Sequence, residues 1–287
     1  MKNILLLTDF STNAWNALYT AVKLYAAWDC KFYLLHTFEP KDWKMVHNHG
    51  DSEGFEINSP VEHDLEERME ETKNYLIKHN DNSNHSFEAL LMAGSLVDTI
   101  RVLISRYDLD LVVMGTHGKT DSKKVFAGNN ALNVLRQVMN CNILLVPNSF
   151  DFQRLRTVVY PTEFKHFTPK YVLTPLIELL KKWQSELHIV YVAKDFKLTE
   201  EQKMNKVILK KRLKGLQVNF DQVNQSASVT DDILGETNFV GSDMIVITKY
   251  SHGLFESLIH EPILKKIGSK TNVPLLVMPD FETQWKG

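Results

Sequence analysis

VVMGTHGKTDSKKVFAGNNALNVL, residues 112–135, is the stretch on which the reading of this chain turns. Gly115, Gly118 and Gly128 stand in the spacing G-x2-G-x9-G, between a run that reads as a buried strand and one that reads as a helix. Val112, Val113 and Met114 lead straight into the first glycine, and Leu132, Leu135 and Val138 follow the last at helical spacing. Glycine is needed where the backbone takes φ > 0, or where a ligand lies against main-chain N–H groups with no Cβ in the way. A helix that opens beyond a glycine also leaves unpaired N–H donors pointing outward, and with the helix dipole these favour a phosphate. The expectation is a nucleotide phosphate tail held between a strand end and a helix N-terminus. Three glycines fit an ordinary connection as well, so the rest of the chain has to decide.

With 287 residues the chain is long for one domain and sufficient for two of about 140 each. Its hydrophobic fraction of 44% and charged fraction of 24% are those of an ordinary water-soluble globular protein. No apolar run approaches the ~20 residues of a membrane span, and Ile4–Leu7 is too short for a leader core, so no membrane partner is expected. Cys30 and Cys141 are too few for a disulfide scaffold or a thiolate metal cluster, and a reducing, cytoplasmic setting is the simplest expectation. A net charge of −2 gives no global reason to expect nucleic acid. Residues 1–150 carry −5 and residues 151–287 carry +3, an asymmetry that surface electrostatics explains as readily as function does.

The chain reads as a repeat. Ile4–Leu7 is followed by Thr8-Asp9-Phe10, and Val158–Tyr160, after Pro161, by Thr162-Glu163-Phe164, at an offset of 154. At the same offset Leu18, Val22, Tyr25 and Ala26 align with Val172, Leu176, Leu179 and Leu180, each set on one face of a helix. Asn140–Pro147 (NCNILLVP) matches Asn272–Pro279 (NVPLLVMP) at an offset of 132, so the second copy is shorter by 22 residues. Strands are predicted near 2–8, 31–38, 86–92, 111–116 and 143–147, with helices near 13–28, 60–79, 95–107 and 129–139. In the second copy strands fall near 157–160, 187–193, 217–222, 244–248 and 274–278, and helices near 168–183, 199–214, 229–239 and 261–269. Alternating strands and helices predict an α/β protein: two Rossmann-like, open parallel five-stranded sheets with helices on both faces, packed as a pseudo-twofold tandem. Ligands of such sheets sit at the carboxyl ends of the strands, where the strand order switches. Asp9, Thr37 and Gly115 each lie at or just past such an end and converge on one rim. The joint, Asn148–Leu155, is short and polar, so the halves should pack together.

Thr8–Ser11 (TDFS), Leu34–Thr37 (LLHT), Met114–Thr120 (MGTHGKT) and the closing CNILLVP together resemble the universal stress protein family. The resemblance covers the first copy fully and the second more loosely, implying a tandem with domains at 1–148 and 154–282. It implies a Rossmann-like sheet of the HUP type that binds ATP in one branch of the family. Carried over, Thr8, Asp9 and Thr37 line the adenosine end, Thr37 mainly through backbone. Met114, Gly115, His117 and Gly118 shape the loop beside ribose and phosphates, and Gly128, Asn129 and Asn130 face the phosphates. The family pattern usually has Ser or Thr after the last glycine, whereas this chain has Asn129, which can still cap a helix and donate to a phosphate oxygen. ATP is the implied ligand, with AMP or ADP as alternatives and Mg²⁺ accompanying the triphosphate. Lys119, Lys123 and Lys124 either touch phosphate or are plain solvated loop lysines. Asp9 either meets the ligand or caps the first helix. His36 and His117 read as structural rather than catalytic.

The second copy departs from the pattern at its own rim. Thr248 replaces Gly115, Glu163 replaces Asp9, and His260 and Glu261 stand near the Gly128 position. A Cβ where backbone must touch phosphate, and a carboxylate at a helix start, both oppose an anion, so no ATP is expected there. His47, His49 and His63 are weak as metal ligands, and the stretch 39–59 reads as a surface excursion. Lys203, Lys206, Lys210, Lys211, Arg212 and Lys214 form a basic helix, read as solvated, with Glu200 and Glu201 suiting its dipole. Three functions stay open at this level. One is a stress-responsive regulator that binds an adenine nucleotide in its first half. The others are a slow ATPase on the same scaffold, with Asp121 and His117 as its nearest acid–base candidates, and a ligand-free interaction module with an unknown protein partner. The halves are expected to pair through sheet edges, either within one chain or as a homodimer.

Overall fold

The central strands of the first half are apolar runs covered on both faces, at Ile4–Leu7, Leu111–Met114 and Ile143–Val146, as a parallel sheet requires. The computed structural model describes residues 1–39, 60–116, 129–226, 228–249 and 272–279, with 60–62 and 129 described for backbone alone. The first half runs β1 (Lys2–Leu7), α1 (Thr12–Leu24), β2 (Cys30–Phe38), α2 (Pro60–Lys78), β3 (Ser86–Ala93), α3 (Leu96–Tyr107), β4 (Leu111–Gly115), α4 (Asn129–Gln137) and β5 (Asn142–Val146). The second runs β6 (Thr157–Pro161), α5 (Lys170–Trp183), β7 (Glu186–Ala193), α6 (Glu200–Arg212), β8 (Gln217–Asn224), α7 (Val229–Phe239), β9 (Met244–Lys249) and β10 (Leu275–Pro279). The helix expected at 261–269 lies outside the described residues.

The ten strands form one sheet in the order β3-β2-β1-β4-β5-β10-β9-β6-β7-β8. Within each half every pairing is parallel, and the halves meet through the antiparallel β5–β10 pair, Leu275 opposite Leu145 and Val277 opposite Ile143. The edge pairing expected of such units is thus satisfied inside one chain.

Side-chain alternation along the strands sorts the core into two layers. Ile4 and Leu6 face a cluster shared with α1, α2, α5 and α6, while Leu5 and Leu7 face one shared with α3, α4 and α7. Both layers run across the β5–β10 joint, since Leu144 and Leu276 belong to the first and Leu145 and Leu275 to the second.

Two expectations need correction. Helix α1 ends at Leu24 rather than near 28, with Tyr25 as its C-cap and a tight turn that pairs Trp28 N with Tyr25 O at 3.0 Å. Ala26 is therefore exposed, and the buried stripe closes on Leu24 and Tyr25. Helix α5, Lys170–Trp183, falls close to the expected 168–183, although its start is four residues later than the 154-residue offset from Thr12. The joint is less polar than its composition suggests. Phe152 and Leu155 are buried, and Phe152 meets the Trp183 ring edge-on at 5.4 Å. Trp183 in turn donates through Nε1 to Leu24 O at 3.0 Å, tying α5 to α1. Among the described residues no helix is long and apolar enough to cross a membrane.

Candidate functional site

In the first half the strand order switches between β1 and β4, so the ends of those strands and of β2 make the rim. Thr8 closes β1: its N–H donates to Leu35 O at 3.0 Å, and its Oγ1 accepts from Phe10 N at 3.0 Å. Phe10 takes a left-handed backbone, φ 60, in a tight turn. Asp9 Oδ1 accepts from Ser11 N at 2.9 Å, while Ser11 Oγ accepts from Ala14 N at 3.2 Å. The N-cap of α1 is therefore Ser11, and Asp9 shapes the turn ahead of it. His36 Nδ1 lies 2.7 Å from Thr8 O, and its ring sits 4.7 Å from that of Phe10, a structural position. Thr37 is half-buried at the end of β2, opposite Met92 of β3.

Gly115 ends β4, and its reason for being glycine is helix packing. A Cβ there would sit 2.8 Å from Asn13 Cγ and Oδ1 and 3.0 Å from the Asn13 backbone carbon. Asn13, at the start of α1, is buried and donates through Nδ2 to Val146 O at 3.0 Å. Its Oδ1 accepts from Thr116 Oγ1 at 3.2 Å, and Thr116 N donates to Val146 O at 3.1 Å. One side chain thus knots the ends of β4 and β5 to α1. Met114 turns its side chain into the α3/α4 core layer, leaving only its backbone toward the rim. His117, Gly118 and Gly128, with Lys119, Lys123, Lys124 and Asp121, lie outside the described residues. Helix α4 starts at Asn129, immediately after Gly128, and Asn130 in its first turn is exposed.

Arg68, on α2, was not singled out by any spacing in the sequence. Its guanidinium carbon stands 4.1 Å from the centre of the Phe10 ring, a cation–π contact that brings positive charge to this rim. Asn13 was missed for a similar reason: an Asn in a first helical turn has no local signature of an inter-element knot.

The second half repeats the turn but fills the site differently. Phe164 takes φ 56, and Thr162 Oγ1 accepts from Phe164 N at 3.1 Å, as Thr8 does for Phe10. Thr248, in place of Gly115, is buried and bonded to the Tyr160 hydroxyl at 2.8 Å. The eight residues between β6 and α5 are clamped from α6. There Gln202 Nε2 donates to Glu163 O at 2.8 Å and Asn205 Nδ2 to Phe164 O at 3.0 Å. A small cleft between this loop and α6 is lined by Thr162, His166, Thr168, Asn205 and Arg212. Helix α6 keeps Lys203, Lys210 and Lys211 exposed, with Lys206 and Arg212 half-buried. Lys206 lies 5.3 Å from the Phe164 ring, Lys210 4.7 Å from Phe220, and Arg212 4.1 Å from Phe167. Burial holds the Lys206 and Arg212 cations below their usual ranges. Of the histidines weighed as metal ligands, His63 is exposed on α2, whereas His47 and His49 lie outside the described residues. Among the described residues no group of three or more His, Cys, Asp or Glu gathers to hold a metal ion.

An open parallel sheet with a strand-end rim at each order switch defines a class of α/β ligand-binding folds. The sequence model of the universal stress protein family matches residues 1–147, about half the chain. The chain belongs to the universal stress protein family, in tandem form. Over its whole length it is similar to a universal stress protein from Archaeoglobus fulgidus DSM 4304, at 17% identity and a TM-score of 0.65, covering 98% of this chain and 97% of that one. A structure described as a putative universal stress protein from Pseudomonas aeruginosa UCBPP-PA14 is similar at 11% identity and a TM-score of 0.60, covering 97% and 93%. At these identities the likeness is one of fold. No curated protein is significantly similar in sequence.

Proposed function

We propose that this protein is a stress-responsive regulator whose first half binds an adenine nucleotide, ATP with Mg²⁺ foremost and AMP or ADP as alternatives. The halves are residues 1–148 and 154–282 in this reading. The observation that carries it is where α4 begins. Its first described residue, Asn129, follows Gly128 directly in the sequence, and the N–H groups of a helix's first turn have no partner within the helix and suit a phosphate. Thr8, Asp9 and Thr37 then serve the adenosine end, and Gly118, Gly128, Asn129 and Asn130 the phosphates, with His117 and the Met114 and Gly115 backbone between them. Mg²⁺ accompanies the triphosphate in this reading. Occupancy, rather than turnover, is the signal.

The second half is a packed partner with no nucleotide. The Tyr160–Thr248 pair supports this, because two bonded, buried hydroxyls occupy the position matching Gly115. Isothermal titration of Mg·ATP into wild type and Gly128→Glu tests the reading. One ATP per chain in wild type and none in the variant is expected, because the new carboxylate faces the phosphate site. Two per chain overturns the silent second half. No binding overturns the nucleotide reading in favour of a ligand-free interaction module.

A further inference from the structure

We propose that Lys249, in the second half, is a positioning residue for the nucleotide site of the first half, acting on it through helix α4. The inference rests on the nucleotide reading above. Lys249 ends β9 and is only 5% exposed. Its ammonium crosses between the halves to donate to Leu135 O at 2.5 Å and Arg136 O at 3.1 Å. Those carbonyls belong to the last turn of α4, whose C-terminal oxygens have no partner within the helix and carry the negative end of its dipole.

A buried ammonium is expensive, and an apolar side chain of similar volume would fill the place at less cost. Among the described residues no carboxylate lies within ion-pairing distance of Lys249. The charged groups at that end of α4 are cations: Arg136 itself, and Arg101 of α3, which donates to Gln137 O at 3.1 Å and pairs with Asp98 at 3.4 Å. The described residues of β10, Leu275–Pro279, bring no titratable group to it. What this lysine does with its charge is hold α4 by its C-terminal carbonyls.

Helix α4 has nine residues, a rigid rod about 14 Å long, with the proposed phosphate site at its other end. A cation at the C-terminus and a phosphate at the N-terminus both favour the ordered helix and its dipole, so each strengthens the other. By reciprocity, bound nucleotide makes Lys249 harder to deprotonate. Burial pushes the Lys249 ammonium down to about 8, so its charge is lost within an accessible pH range. The matching position in the first half is Thr116, held by Asn13, so that position makes no equivalent contact to the second half.

Two readouts test this, Mg·ATP titration and hydrogen exchange of the α4 amides without nucleotide, on wild type, Lys249→Met and Lys249→Arg. At pH 7, Lys249→Met should bind ATP about three- to ten-fold more weakly and exchange its α4 amides faster, with Lys249→Arg restoring much of both. Wild-type affinity should fall as pH rises from 7 to 9, and that fall should vanish in Lys249→Met. The wild-type pH profile serves alone if the Met variant does not fold. Unchanged affinity and exchange in Lys249→Met, or a pH-independent wild-type affinity, overturns the proposal. If wild type binds no ATP the coupling falls as well. Faster α4 exchange in the Met variant then locates the error in the nucleotide reading, not in the Lys249 contact.

Discussion

The two rims of this molecule start from the same turn and end in different chemistry. Thr8 and Thr162 each accept from the N–H two residues on, and Phe10 and Phe164 each take the left-handed backbone that follows. Beyond that turn α1 begins at once, and Asn13 fits into the space that Gly115 leaves. In the second half the helix starts after a longer loop, and the place of the glycine is taken by Thr248 bonded to Tyr160. The contrast shows that a glycine in a supposed ligand loop can be there for a helix. Gly115 keeps α1 close, and the ligand reading rests on the loop and helix that follow.

The largest expected effect comes from making the first rim like the second. Gly115→Thr places a Cβ 2.8 Å from Asn13 and 3.0 Å from its backbone, so α1 has to shift. Destabilisation of about 3 kcal/mol or more is expected in urea unfolding, with nucleotide binding lost. A variant as stable as wild type would break the packing account of this glycine.

Next is the pH dependence of Lys249. The unfolded lysine holds its proton to its ordinary value of 10.5, whereas burial lowers the folded one to about 8. Between those pH values the unfolded state binds more protons, so the folded state gains stability as pH rises. Relative to Lys249→Met, wild type should therefore gain at most about 3 kcal/mol between pH 8 and 10.5, with a flat difference below pH 8. Urea titrations across that range check the sign, and a relative loss would contradict it.

Tyr160→Phe sharpens the comparison from the other side. It removes the buried partner of the Thr248 hydroxyl and should cost about 1 kcal/mol without creating a second nucleotide site. A second ATP bound by this variant would mean that the pair had been the plug. The smallest effect belongs to the basic helix. Lys203→Ala breaks only the exposed 2.6 Å pair with Glu200, and stability should stay within about 0.5 kcal/mol.

Most of the fold was legible because its strands announce themselves. Leu111–Met114 and Met244–Ile247 are apolar runs too short for helices, bounded by polar residues, and the helices between them carry one-sided stripes. The turn at Thr8–Ser11 was legible as a unit from its resemblance. What sequence hid was contact across distance. Nothing local says that Asn13 reaches Val146, 133 positions away, or that Lys249 reaches α4. The joint misled because Phe150, Phe152 and Leu155 are spaced among polar residues, and only α1 and α5 lying side by side give them a core to enter. The end of α1 slipped because Tyr25 and Ala26 read as helical stripe residues, yet they belong to the cap and turn that lead to β2.

The most direct test of the asymmetry is photolabelling of the intact chain with 8-azido-ATP and Mg²⁺, followed by peptide mapping and competition with unlabelled ATP. The account predicts competable label confined to peptides from residues 1–147. Competable label in peptides from the second half, or none anywhere, would contradict it.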